Sequence, residues 1–300
     1  ESVNTVFYRM GAQVGVEAVR QAAWDAGIPR QITPALGVPF DSLQNDDADG
    51  KGTGTTELGV TIGQYPVRPL DQAQGYATFA SGGKYVPLHL VSRVTGADGN
   101  TLYSFSAAPK PAFDSDSGTN AAIARTVTES LTAVATSSGD GLAGGRPVAA
   151  KTGTAQLGNT GHNSEAWMVG YTPQAVTAVW FGNKKQPAAI YGNYHNGKGR
   201  EHGYDVYGRE EPGYIWQAYM NAYLHDKPVL PFPSAPVISG VPAPVTTTPD
   251  TTTDVSSTST EPPPTTTETT GTTRSRSSDP SSATTRSTVS SPSRHSPVTG

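Results

Sequence analysis

Residues 148–157 read VAAKTGTAQL, a strand-like run carrying Lys151, Thr152, Gly153 and Thr154 in immediate succession. An ammonium group, two hydroxyls and a glycine on one short strand suggest an acyl-transfer site. Such chemistry needs a nucleophile, a base, donors for a developing oxyanion and a grip on the substrate. A second polar triplet, Ser2-Val3-Asn4, lies at the other end of the folded part of the sequence. An S-x-N triplet arises about once by chance in a chain of this length, and a Lys-Thr-Gly about one time in ten. The weight therefore rests on the setting of the lysine: a strand, then a Gly/Asn-rich turn, then an antiparallel partner. The plain structural alternative is an edge strand with an exposed lysine.

The elements that must position these residues follow from hydrophobic period and punctuation. Val6, Met10, Val14, Val19 and Ala23 keep roughly helical spacing, which predicts a helix over 5–26, stopped by Gly27 and Pro29. Residues 71–80 form a short helix entered after Pro69 and closed by Gly82-Gly83. Two extended runs flank Asp98-Gly99, a hairpin signal. Ile123, Val127, Leu131 and Val134 mark a helix over 120–135. Three strand-like runs follow, at 147–156, 164–172 and 175–183, the last two joined at Pro173-Gln174. A closing helix, GYIWQAYMNAYL, places Ile215, Tyr219 and Tyr223 on one face. Helices, an antiparallel meander and a final helix give an α+β class.

Composition bounds the rest. Every aromatic residue falls before about residue 240, which is enough for one sizeable core. Residues 241–300 hold no aromatic residue and no Leu, Ile or Met, and are dominated by Thr, Ser and Pro. That composition cannot offset the ordering entropy of folding, so a disordered, solvated tail is expected there beside a folded unit over 1–240. With 21 Lys+Arg against 25 Asp+Glu and no basic run, nucleic acid is not expected as a partner. The absence of cysteine excludes disulfides, thiolate metal sites and a cysteine nucleophile. No apolar run approaches the roughly 20 residues of a spanning helix.

Three other patterns are set aside. Asn45, Asp47, Asp49 and Gly50 fall at calcium-loop offsets, but the closing position is Thr56 and Glu57 comes one place late. His195 and His202 sit in a Gly/Asn/Tyr-rich stretch without a third ligand of clear spacing, so no metal is expected. In GKGTGTT the lysine does not follow the last glycine, as a phosphate loop requires. No cofactor is expected.

The run KTGTAQLGNTGHNSEAWMVGYTPQAVTAVWFGN resembles the third motif and following two strands of penicillin-binding-protein transpeptidase domains. The upstream run TELGVTIGQYPVRPLDQAQGYATFASGGKYV resembles the segment before it in the bifunctional, class A members. With SVNTVFYRMG the resemblance spans roughly residues 2–230 in family order. It implies the penicillin-binding-protein/serine β-lactamase-like fold and a peptidoglycan D,D-transpeptidase that works through an acyl-serine and is a target of β-lactams. It implies peptidoglycan stem peptides or their lipid-linked precursors as partners, together with cell-wall assembly partners, on the extracytoplasmic face of the bacterial membrane. A β-lactamase-like hydrolase and a non-catalytic cell-surface binding module are the alternatives.

Carried over residue by residue, the resemblance makes Ser2 a proton shuttle toward the leaving group, and Asn4 a ligand of the donor peptide's amide carbonyl. Lys151 supplies positive potential near Ser2 and the substrate carboxylate. The Thr152 and Thr154 hydroxyls bind that carboxylate, Gly153 lets substrate approach the strand, and the Thr154 N–H is one oxyanion donor. The family's nucleophile is the serine of an S-x-x-K motif on one helical face, upstream of S-x-N. One stretch spells it here, Ser81-Gly82-Gly83-Lys84, but paired glycines disfavour a helix and the order is wrong. The nucleophile, the membrane anchor and a glycosyltransferase domain are thus expected upstream of a C-terminal fragment that is itself inactive.

Overall fold

The computed structural model describes residues 2–33, 39–45, 52–195 and 198–240, with backbone only at 193–195 and 198–202. The chain divides into two units, Glu1–Pro242 and Ala243–Gly300, and all described residues belong to the first. Residues 46–51 of the calcium-like loop, the side chains of His195 and His202, and the Thr/Ser/Pro-rich segment lie outside the described residues.

The chain opens with helices α1 (Asn4–Val14) and α2 (Val16–Ala26), then pairs the short strands β1 (Gln31–Ile32) and β2 (Phe40–Asp41). Helix α3 (Pro69–Ala80) leads to β3 (Lys84–Tyr85), the hairpin β4 (Arg93–Thr95) and β5 (Thr101–Ser104), and β6 (Lys110–Pro111), which returns to pair with β3. Helix α4 (Ser117–Ser138) precedes the central meander β7 (Ala149–Gln156), β8 (Asn163–Thr172) and β9 (Ala175–Gly182). A second hairpin, β10 (Tyr191–His195) and β11 (Lys198–Asp205), and helix α5 (Glu211–Leu224) complete the described order.

The helix predicted over 5–26 is two helices. Gly15 breaks it at φ 91, a left-handed backbone conformation that the apolar spacing alone does not reveal. The hairpin of β10 and β11 falls in the Gly/Asn/Tyr-rich stretch, whose alternation is too polar to register as strand. The predicted hairpin at Asp98-Gly99 is present, with Gly99 at φ 82 in its turn. Helix α4 buries Asn120, Ala124, Thr128 and Ala135, a stripe one position on from the apolar residues that marked it.

The meander is antiparallel in the order β7-β8-β9, with Gly153 opposite Trp167 and Trp167 opposite Trp180. Side-chain alternation sorts its residues onto two faces. Ala149 and Tyr171 pack with Tyr76, Phe79, Ala80, Leu131 and Phe232 on one face. Ala150 and Met168 pack with Trp216, Met220 and Leu224 of α5 on the other. Trp216 and Met220 are fully buried, each contributing about 1.5–3 kcal/mol through the area removed from water. In α5 the buried face carries Trp216, Met220 and Leu224, so the Ile215-Tyr219-Tyr223 face points outward, each residue about half exposed. Arg146, at the entry to β7, fastens the far end of α5 by donating to the carbonyls of Leu224, Lys227 and Pro228.

Candidate active site

Strand β7 lies at an edge of the sheet, so its outward backbone groups take no strand partner among the described residues. Its hydrophobic start, Ala149-Ala150, is clamped between the two cores, and the strand becomes more exposed as it runs through Lys151, Thr152, Gly153 and Thr154. The motif thus emerges from the core onto an open edge.

Lys151 is half-buried, and its Nζ donates to Ser2 Oγ at 2.5 Å and to the Thr152 carbonyl at 2.7 Å. Residues 149 apart in sequence meet here; Ser2 precedes α1, which packs beside the 3-10 turn Leu58–Ile62. Gly11 makes that packing close: a Cβ there would stand 3.2 Å from Thr61 Cβ. Among the described residues no carboxylate pairs with the Lys151 ammonium, and burial draws its pKa below the usual lysine value. An ammonium held this way is short of an anion, which a substrate carboxylate would supply. Asn4 opens α1 two residues from Ser2, with its side chain exposed.

Alternation puts Lys151 and Gly153 on the sheet face of Trp167 and Val169, and Thr152 and Thr154 on the opposite face. Gly153 relieves a tight place across the ladder, since a Cβ would lie 3.3 Å from Trp167 Cβ. Thr154 is exposed, and its Oγ1 accepts from the Gly208 N–H at 3.2 Å. Gly208 was not singled out from the sequence, and the GYDVYGREE stretch around it offers no pattern that distinguishes it.

Ser81 stands apart from this arrangement. It caps α3, donates to the carbonyls of Thr78 and Lys84, and is followed by Gly82 and Gly83 at φ 72 and 86. Lys84 is already in β3, so Ser81 and Lys84 do not share a helical face. The described flanks of the calcium-like loop are spent on the protein itself: Thr56 Oγ1 accepts from Arg20, and Asn45 donates to Glu57. Among the described residues no group of His, Asp or Glu could hold a metal ion, and no helix is long and apolar enough to cross a membrane.

The family model for the penicillin binding protein transpeptidase domain matches residues 1–202. The chain belongs to the penicillin-binding-protein transpeptidase family. Penicillin-binding protein 1A of Mycolicibacterium smegmatis is 37% identical over 243 residues, covering 80% of this chain and 28% of that protein. Penicillin-binding protein 1A of Mycobacterium tuberculosis is 38% identical over 242 residues, covering 80% of this chain and 27% of that protein. The chain therefore spans less than a third of the length of the curated relatives it matches. Among solved structures, the PonA1 protein of Mycobacterium tuberculosis in complex with penicillin V is similar at a TM-score of 0.66 and 35% identity. That match covers 78% of this chain and 57% of that one. The α+β class and the transpeptidase fold expected from the sequence stand.

Proposed function

We propose that this chain carries the substrate-gripping part of a peptidoglycan D,D-transpeptidase, and that the attacking serine comes from polypeptide outside these 300 residues. The observation that carries the reading is the contact between Lys151 Nζ and Ser2 Oγ at 2.5 Å, joining the two motifs across the fold. The geometry of Ser81 supports an external nucleophile, because its hydroxyl is engaged in a turn and its lysine lies on a strand.

In this reading the serine Oγ attacks the carbonyl of the stem peptide's D-Ala-D-Ala bond. The C–N bond breaks, and the departing amine receives its proton through Ser2, whose hydroxyl Lys151 holds. The Thr154 N–H faces the oxyanion, a type of donor worth about 10²–10³ in rate. Asn4 holds the donor amide, while Lys151, Thr152 and Thr154 hold the terminal carboxylate. An acceptor amine then attacks the ester, forms the cross-link and returns the proton to the serine. β-Lactams enter as acylating mimics of the same peptide; PonA1, solved with penicillin V, is the similar structure that motivates this part of the reading. The open edge of β7 suits a substrate lying extended along it, with Gly153 permitting close approach. The place of action is the extracytoplasmic face of the cytoplasmic membrane, where the cross-linked polymer is built.

Intact-mass spectrometry with a labelled penicillin tests this. The 300-residue chain should take up no covalent label, and the full-length protein should take up one, at an S-x-x-K serine outside these residues. Label on Ser81 or Ser2 of the chain would overturn the assignment.

A further inference from the structure

Four consecutive residues leading from β11 toward α5 are tied down one by one. His162 Nδ1 donates to Asp205 Oδ1 at 3.0 Å. Val206 is fully buried with Ala166 and Ile190; its carbonyl accepts from Asn163 Nδ2 at 3.0 Å, and its N–H donates to the Ile190 carbonyl at 3.3 Å. The Tyr207 N–H donates to Glu210 Oε2 at 2.9 Å, closing a turn in which the Glu210 N–H returns to the Tyr207 carbonyl. Gly208 comes last, and its N–H donates to Thr154 Oγ1 at 3.2 Å.

Gly208 is also seated against the sheet. A Cβ on it would stand 2.2 Å from the Trp167 carbonyl oxygen, 2.8 Å from that of Gly153 and 3.0 Å from Thr152 Cβ. Two of those three atoms are backbone and cannot move aside without opening the β7–β8 ladder. The segment therefore lies as a strap over the seam of β7 and β8, on the face that carries both threonines.

We infer that Gly208 is a positioning residue for Thr154, and that the 205–208 strap prepares the Thr154 hydroxyl to donate to a substrate carboxylate. A threonine hydroxyl has one proton to give and two lone pairs to fill. With one lone pair occupied by the Gly208 N–H, the hydroxyl is fixed as an acceptor toward the protein, and its proton is left to point at the open edge. Without that bond the hydroxyl could turn and spend its proton on a nearby backbone carbonyl. Glycine is required because only a residue without Cβ lets the N–H come this close to a ladder already formed. The inference rests on the transpeptidase reading for the identity of the carboxylate, but not for the hydrogen bond or the strap.

Two measurements separate those parts. In the 300-residue chain, hydrogen exchange at the Gly208 amide should speed up about tenfold in Thr154→Val and return to the original rate in Thr154→Ser, as loss and recovery of a net hydrogen bond demand. An amide indifferent to both variants overturns the strap. In the full-length protein, Gly208→Ala should slow acylation by benzylpenicillin about 10- to 100-fold, the range expected when a binding group is displaced by about an ångström. Acylation by the penicillin methyl ester, which has no carboxylate, should be unchanged. Gly208→Ala should also add no further loss in a Thr154→Val background, because the two act as one unit. Equal losses with acid and ester, or additive losses, overturn the positioning role. Should Gly208→Ala fail to fold, Asp205→Asn loosens the strap from its far end and must give the same discrimination between acid and ester, in lesser degree. A full-length protein that no penicillin acylates refutes the transpeptidase reading, and the amide exchange still decides the strap.

Discussion

Trp216 of α5 lies across Gly170 of β8 and donates its indole N–H to the Gly170 carbonyl at 3.3 Å. A Cβ at position 170 would stand 2.6 Å from the Trp216 ring and 2.9 Å from Ala150 Cβ, one residue before Lys151. The helix that closes the fold and the strand that carries the motif are therefore spaced by a single missing methyl group. Gly170→Ala should lower the melting temperature by several degrees through overpacking of about 1–3 kcal/mol, measured by calorimetry. Trp216→Phe, which relieves volume at the same place, should recover part of that loss in the double variant.

Asp140 should give the fold a pH dependence. Its carboxylate is fully buried against Gly213, neither oxygen has a hydrogen-bond partner among the described residues, and burial pushes its pKa up from 3.8 to about 7, against a smaller opposing pull from Arg209. The folded state thus holds a proton that the unfolded chain has released, so stability falls as pH rises from about 4 to about 7 and stays low above that. Asp140→Asn should remove this slope and stabilise the protein at pH 8 by a few kcal/mol, on the order of 1.4 kcal/mol per pKa unit. Denaturant midpoints at pH 5 and pH 8 decide it: an unchanged slope in the variant would exclude Asp140 as the source.

Lys151 should set the alkaline limit of carboxylate binding. Burial lowers its pKa below 10.5, so the ammonium is lost at a lower pH than for a free lysine. Acylation of the full-length protein by benzylpenicillin should fall on that limb, and Lys151→Ala should cost orders of magnitude at neutral pH. Lys151→Arg keeps the charge but not the compact donor that reaches Ser2, so it should lose most of the rate and also lose the alkaline limb. A limb at the same pH in Lys151→Arg would assign the titration to another group.

Arg146 should matter for stability alone. It donates to three carbonyls around the end of α5 and to Gln174, and it is almost wholly buried. Arg146→Ala leaves those acceptors unpaired and should cost about 2–4 kcal/mol. Thermal unfolding should register the loss, with penicillin acylation at low temperature unaffected.

Ser81→Ala should leave acylation unchanged, although it removes a donor to the Thr78 and Lys84 carbonyls. The expected stability cost is about 1 kcal/mol or less. Loss of labelling in this variant, with the fold intact by circular dichroism, would restore Ser81 as a nucleophile.

The meander, the closing helix and the hairpin at Asp98-Gly99 were legible because their alternation and period are strong. The motif on β7 was legible too, since its residue types are unusual together on a strand. What escaped was set by single backbone positions. Gly15 reads as one more residue in a helical pattern, yet its positive φ splits the helix. The edges of β10 and β11 pair through backbone groups, with side chains too polar to announce a strand. Gly208 acts through an N–H and an absent Cβ, neither of which leaves a signature in residue type. The resemblance groups Thr152 and Thr154 with Lys151, and strand alternation sets the two threonines and the lysine on opposite faces of one edge.

The sheet has a second margin. Strand β9 ends the order β7-β8-β9 among the described residues, and each of its eight residues, Ala-Val-Thr-Ala-Val-Trp-Phe-Gly, is partly buried. It carries no charge, no proline and no bulge to discourage a visitor. One border of the meander carries the Lys-Thr-Gly-Thr run, and the other offers an uncharged ladder that an extended chain could match. In the 300-residue chain that border should act as a template for self-recruitment. Light scattering should therefore grow with protein concentration, and a lysine placed at Ala178, midway along the strand, should suppress it. Among the described residues no strand pairs with the outer row of β9 amides, so the solubility of the chain should turn on that row.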